Sequence, residues 1–213
     1  MLGSAPLHIL ASITKPFNAA LYAKDCEHMK ESELKSYLES QRLEFEESNF
    51  FFNFSLGAEV HWFFAQAFEA LKQELYLPAC SSFIIGIEAS IRVTQAQVDN
   101  PTIVNELDPR KTLSNRLLRD AKSNGLPIEL LAFPNEVNFE QKLNSTKPSI
   151  NVEIVRVRHN LCHGNILEHR NSDLGHDNTF FTPECVRDLA HNLHEISKQW
   201  VAGLGTFRCK QFG

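Results

Sequence analysis

Apolar residues recur at intervals of three and four along most of this chain, and that spacing restricts its fold more than any other feature. Ile150, Ile154, Val157 and Leu161 fall at i, i+4, i+7 and i+11. With 3.6 residues per turn they share one face of an α-helix. A strand would put Arg156 and Arg158 on the same side as Ile154, which argues against it despite the β-branched run Val152 to Val157. Leu56, Val60, Phe63, Ala67, Leu71 and Leu75 repeat the helical spacing, predicting a helix of about five turns that Pro78 stops. A second helix follows through Phe83, Ile84, Ile87 and Ile91, with Glu88 and Arg92 as an i,i+4 tie. A third runs from Leu113 to Ser123 and ends on Asn124-Gly125, with Pro127 beyond. Thr182-Pro183 opens a last helix through Val186, Leu189, Leu193, Ile196 and Trp200 to about Leu204. Residues 126–148 read as short helix and loop, and residues 165–181 as a loop or short hairpin. The expected fold is all-α, a bundle of four to five main helices.

The amount of apolar material fits such a bundle. The chain has 213 residues, 43% of them hydrophobic and 22% charged, enough for one sizeable core and not the composition of a disordered chain. Residues 1–50 stand apart as an acidic helical extension, and residues 51–213 form the helical domain. Between Lys24 and Phe50 eight acids face four bases, while Leu34, Tyr37, Leu38 and Phe45 give that stretch an apolar side. Residues 1–14 read as a loosely held start. The formal net charge of -5 argues against binding a polyanion by bulk charge, though not against a local basic cleft. No uninterrupted apolar run reaches about 18 residues, and the N-terminus lacks a basic signal-type segment, so no membrane association is expected. Five dispersed cysteines without a Cys-x-x-Cys read as reduced thiols of a cytoplasmic protein.

The chemistry concentrates on Arg156-Val157-Arg158-His159-Asn160-Leu161-Cys162-His163-Gly164-Asn165. RNA can be cut without metal when one group assists the 2'-hydroxyl in attacking the neighbouring phosphate and another protonates the leaving 5'-oxygen. Histidine suits these transfers because its ordinary pKa lies near neutrality, and arginine's planar fork suits the phosphate. The stretch resembles the signature of the HEPN superfamily, an Arg followed by four to six residues and a His. Arg158-x4-His163 fits it, with His159 in the polar slot after the Arg and Gly164 after the His. Placement on a late helix, after two long apolar-faced helices and before one more, is similar to that family's four-helix core, over about residues 51–205.

The resemblance implies a metal-independent endoribonuclease that leaves 2',3'-cyclic phosphate ends, with its cleft formed where two copies of the motif helix meet in a homodimer. Arg158 would hold the phosphate and His163 would move the proton, with His159 and Asn165 assisting. Arg156-x6-His163 also satisfies the spacing and lies closer to one helix face, whereas the polar residue after the Arg favours Arg158. The family further implies bacterial toxin or anti-phage roles, with an antitoxin or regulatory protein as a possible partner. It also contains non-catalytic modules that bind RNA, a nucleotide or a protein. A purely structural reading pairs Arg156 and Arg158 with acids such as Glu153 and leaves His163 capping the helix.

Other constellations are weaker. Arg116 and Arg119 lie in a basic stretch with Arg110, Lys111 and Lys122, opposed there only by Asp120, and form a candidate RNA-contacting surface. Six of nine histidines fall between His159 and His194, but the His159/His163 pair lacks a neighbouring general-base Glu, and His191/His194 lack a third ligand. No metal and no cofactor are expected. Phosphate-loop, dinucleotide and Gly-x-Ser-x-Gly patterns are absent.

Overall fold

The chain divides into two units, residues 1–46 and residues 47–213. A computed structural model describes residues 31–213 apart from positions 102, 103, 105, 148, 166, 174, 176 and 178. The expectations for residues 1–14, for Cys26 and for the first part of the acidic stretch lie outside the described residues. The described residues are all-α, with seven α-helices joined by loops and short 3-10 turns. Their one β feature is an isolated antiparallel bridge between Asn171 and Phe180.

Helix α1 (Glu31–Asn49) has Glu31 and Glu33 in its first turn, where the helix dipole favours them, and Glu39, Glu44, Glu46 and Glu47 further along. Leu38, Leu43 and Phe45 on it are exposed. Its last residues belong to the second unit, where Lys198 bonds Glu47 at 3.0 Å and Lys72 bonds Ser48 at 3.3 Å.

Helix α2 (His61–Lys72) is shorter than its periodicity predicts, and of the expected stripe it buries Ala67 and Leu71. Leu56 and Val60 are buried but precede the helix, while Phe63 and Leu75 are exposed. The buried side is Phe64, Ala67, Phe68 and Leu71, one residue out of phase with Phe63. Both series are apolar at helical spacing, so only the neighbouring helices choose between them.

Pro78 does not stop α2. Glu74 does, by taking a left-handed conformation at φ 57°, with Leu75 N–H bonding Ala70 O at 2.8 Å. Pro78 lies in the first turn of α3 (Tyr76–Asp99), where a missing N–H costs no helical hydrogen bond. Helix α3 spans 24 residues and is long and apolar enough, by length and composition, to cross a bilayer. More than half of its most apolar stretch is buried, as the central helix of a bundle requires. It packs along α2 on one side and the last helix on another.

Helix α4 (Asn115–Ser123) begins later than expected because Ser114 caps it, accepting from Leu117 N–H at 3.2 Å. Gly125 ends it at φ 85°. The first residue of α4 anchors two later segments. Asn115 is buried, donates from Nδ2 to Lys142 O and Ile150 O, both at 3.0 Å, and accepts Val152 N–H at 3.1 Å. Between α4 and these partners lie a 3-10 turn at Ile128–Leu131 and the short α5 (Phe139–Leu143).

Helix α6 (Glu153–Cys162) carries the motif, with Ile154, Val155 and Val157 buried. Ile150 precedes the helix and is partly exposed. Helix α7 (Arg187–Phe212) follows a 3-10 turn at Pro183–Val186. It continues two turns past the expected end at Leu204, to Phe212. Trp200 and Val201 sit fully buried on it, and Trp200 Nε1 donates to Ser90 Oγ on α3 at 2.8 Å. The core thus lies among α2, α3, α6 and α7.

Candidate functional site

The end of α6 is a Schellman cap. Asn165 N–H bonds Asn160 O at 2.8 Å and Gly164 N–H bonds Leu161 O at 3.3 Å, with Gly164 at φ 65°. Glycine alone takes that conformation without a Cβ penalty. His163 is the C-cap, one residue past the last helical residue Cys162, and is exposed, with its own N–H bonded to His159 O at 3.0 Å. The His159 and His163 rings lie one turn apart, with centroids 6.4 Å from each other. Partial burial holds the His159 pKa below its ordinary value, and the charge of Arg158 and neighbouring His163 push the same way.

Arg158 points toward the bundle. Its Nε donates to Glu88 Oε2 at 3.3 Å, and its side chain is 18% exposed. Glu88 projects from the middle of α3 and gathers more than one donor. The same oxygen accepts Leu113 N–H at 2.8 Å, and Arg92 approaches the other oxygen at 3.7 Å. Arg92 in turn donates to Asp108 O at 2.7 Å. One carboxylate therefore ties α3, α6 and the loop before α4. Sequence reasoning finds the Glu88–Arg92 tie but does not join it to Arg158. The available signal is two charges inside an otherwise apolar helix, because such charges rarely sit near a core unpaired.

Arg158 also borders a cavity of about 340 Å³ whose other walls include Val60, Phe63, Ile85 and Cys162. Phe63 and Ile85 are large apolar side chains left exposed there. His163 is not among the residues that line this cavity.

Arg156 is clamped by two carboxylates. Its Nε donates to Glu153 Oε2 at 2.8 Å, and Nη1 donates to Glu168. These bonds raise the Arg156 pKa and, foremost among the causes, lower that of Glu153. Asn160 donates to the other oxygen of Glu168 at 2.7 Å, and Asn165 donates to Asn160 at 3.3 Å. The candidate residues Arg156 and Asn165 thus belong to one hydrogen-bonded net that fastens the segment after α6 back onto it.

The basic stretch disperses. Arg119 donates to Leu143 O at 2.6 Å, a tie between α4 and the end of α5. Arg110 pairs with Asp108, Lys122 with Glu140, and exposed Arg116 stands 4.0 Å from Asp120. Arg116 borders a cavity of about 420 Å³ with Arg110 and Lys111, but Asp99, Asp108 and Asp120 share its walls. Balanced charge of this kind gives a phosphate no strong field. Among the described residues no bond joins Arg116 or Arg119 to the α6 motif.

Among the described residues no group of three or more His, Cys, Asp or Glu side chains could hold a metal ion. Of the described cysteines, Cys80 is buried, and burial pushes its thiol up to about 12, so it is no nucleophile near neutrality. No family model, no curated protein and no solved structure matches the chain.

Proposed function

We propose that the protein is a metal-independent endoribonuclease of HEPN type whose site is completed by a second copy of the chain. The observation that carries this reading is the arrangement at the end of α6. Arg158 is held by Glu88 at the rim of an apolar groove, while His163 stands exposed five residues on, about 1.4 turns of helix away. A single chain supplies the two halves of the chemistry on different sides of one helix end. Two such ends, facing across the exposed Phe63 and Ile85, would bring the Arg158 of one copy and the His163 of the other to one phosphate. In the reaction, the 2'-oxygen attacks phosphorus as its proton passes to a base. The P–O5' bond breaks, the 5'-oxygen takes a proton, and a 2',3'-cyclic phosphate remains. Arg158 steadies the phosphate oxygens as charge builds on them. A bacterial toxin or defence role, checked by a regulatory protein, follows from the same resemblance.

A second reading also has an observation in its favour. Arg158 is largely enclosed and already paired with a carboxylate, which suits a non-catalytic module that binds RNA or a protein.

Purified protein incubated with mixed RNA in chelator separates the two. Cleavage leaving 2',3'-cyclic phosphate, lost in His163→Ala and in Arg158→Ala, supports the enzyme. Binding without cleavage supports the module. Equal cleavage by wild type and both variants removes the motif from the reaction.

A further inference from the structure

The carboxyl of Glu136, in the loop before α5, is 2% exposed. Its Oε1 accepts Lys142 Nζ at 2.9 Å and Glu153 N–H at 2.8 Å. Its Oε2 is buried, and no donor among the described residues reaches it. Buried acceptors are nearly always satisfied, because a lost water bond must be replaced. Glu136 lines a cavity of about 290 Å³, together with Phe133, Pro134, Asn135, Glu153 and Asn192. Oε2 is closed off as the cavity stands, so a ligand that completes the carboxylate must bring a donor and turn the carboxyl toward itself.

The cavity's chemistry narrows that ligand. Lys142 and Arg156 balance the charge of Glu136 and Glu153. An oxygen that lacks a donor calls for an N–H or O–H, which a phosphodiester does not carry. Phe133 and Pro134 offer apolar walls, and the two amides can each donate or accept. A planar ring with an N–H on its edge meets all of these demands. Glu153 is also the first residue of α6, whose other end carries the motif about 15 Å away, a span that a short stretch of single strand covers.

We propose that this cavity receives an unstacked RNA base bearing an exocyclic amino group, whose N–H donates to Glu136 Oε2. Single-stranded RNA is commonly read in this way, by stacking and by hydrogen bonds to base edges. Uracil is disfavoured, because its one ring donor on that edge lies between two carbonyl oxygens that the carboxylate repels. The proposal rests on the reading of the protein as one that acts on RNA.

The test is fluorescence anisotropy with the full chain carrying His163→Ala, at fixed salt, against labelled oligo(C), oligo(A) and oligo(U) of equal length. At least one of oligo(C) and oligo(A) is expected to bind about tenfold or more tightly than oligo(U), the worth of one hydrogen bond to a charged group. Glu136→Gln is expected to erase that preference. Because Glu136 also holds Lys142 and Glu153, Asn192→Ala supplies a variant that leaves those bonds intact, with a several-fold smaller preference expected. Equal binding of all three oligomers, or none of any, overturns the proposal, as does a preference that both variants retain. Equal binding together with motif-dependent cleavage refutes the base pocket and leaves the ribonuclease standing. A Glu136-dependent preference without cleavage does the reverse.

Discussion

Arg158 and Glu88 meet at 3.3 Å across α6 and α3, seventy positions apart in the chain, with 18% and 15% of their side chains exposed. Neither charge is fully solvated, and Glu88 serves Arg92 and the Leu113 N–H as well. Removing the shared partner is therefore worse than removing one of the groups it serves.

Glu88→Gln keeps the shape and deletes the charge that two arginines rely on. It is expected to destabilise the protein by about 3 kcal/mol, the low end of the roughly 3–5 kcal/mol for breaking a buried ion pair from one side, since both side chains keep some exposure. Arg158→Met, which fills the same space, is expected to cost clearly less, because Glu88 keeps its remaining donors. Urea unfolding midpoints give the comparison, and equal losses in the two variants would count against a shared carboxylate.

Gly164→Ala tests the cap that presents His163. No atom stands within 4 Å of an added Cβ, so only the backbone conformation at φ 65° resists the change. The expected loss is about 1 kcal/mol. Gly164→Asn is expected to recover part of it, since asparagine tolerates the left-handed region better. If alanine costs nothing by thermal unfolding, the cap does not constrain the end of α6.

Acid is expected to weaken the fold through His194. Its ring lies against Phe68 at 5.0 Å, with Phe83 at 5.7 Å and Phe51 at 6.2 Å, and Nε2 is buried with no partner among the described residues. Burial pushes its pKa below the ordinary 6.5, with Lys198 and His191 adding to the effect and Glu195 and Glu47 opposing it. The unfolded chain therefore binds the proton more readily than the folded one. This contribution is intact above the unfolded value of 6.5, falls as pH drops below it, and is fully lost below the depressed folded value. Partly buried His159 acts in the same direction, so the comparison uses a variant. The stability difference between about pH 7.5 and about pH 5.5 is expected to shrink in His194→Leu. An unchanged difference would assign the acid sensitivity elsewhere.

Arg156 and Arg158 both satisfy the motif's spacing, and substitution separates them. Arg156→Ala is expected to leave RNA cleavage within a few-fold of wild type while freeing Glu168 and Asn160. Limited proteolysis between Cys162 and Phe181 should then accelerate. Arg158→Ala is expected to lose cleavage without that acceleration. The opposite pattern would make Arg156 the phosphate-binding residue.

The positions of Ser114, Gly125 and Gly164 show how far local sequence reaches. A hydroxyl before an apolar run and a glycine after it are read by the nearest few backbone groups, so the limits of α4 and the end of α6 follow from short stretches. The motif's place at a helix end is legible for the same reason. Pro78 and Phe63 mark where that legibility stops. A proline fits a first turn as well as it ends a helix, and an apolar stripe one residue wider than one face leaves its phase open. Arg119 shows the same limit for function, because a basic residue in a basic stretch gives no sign that a carbonyl far along the chain will take its guanidinium.

Residue order alone thus dictates that this chain is helical, where α4 and α6 end, and that Arg158 and His163 lie at one of those ends. These are consequences of backbone geometry and side-chain periodicity over a few turns. Packing in three dimensions decides that Glu88 engages Arg158 while Glu153 and Glu168 engage Arg156, that His163 stays exposed, and that Glu136 keeps a buried oxygen without a donor. Those outcomes depend on which charges meet after distant segments pack, because an ion pair or an enclosed acceptor is made by neighbours in space and leaves no periodic trace along the chain.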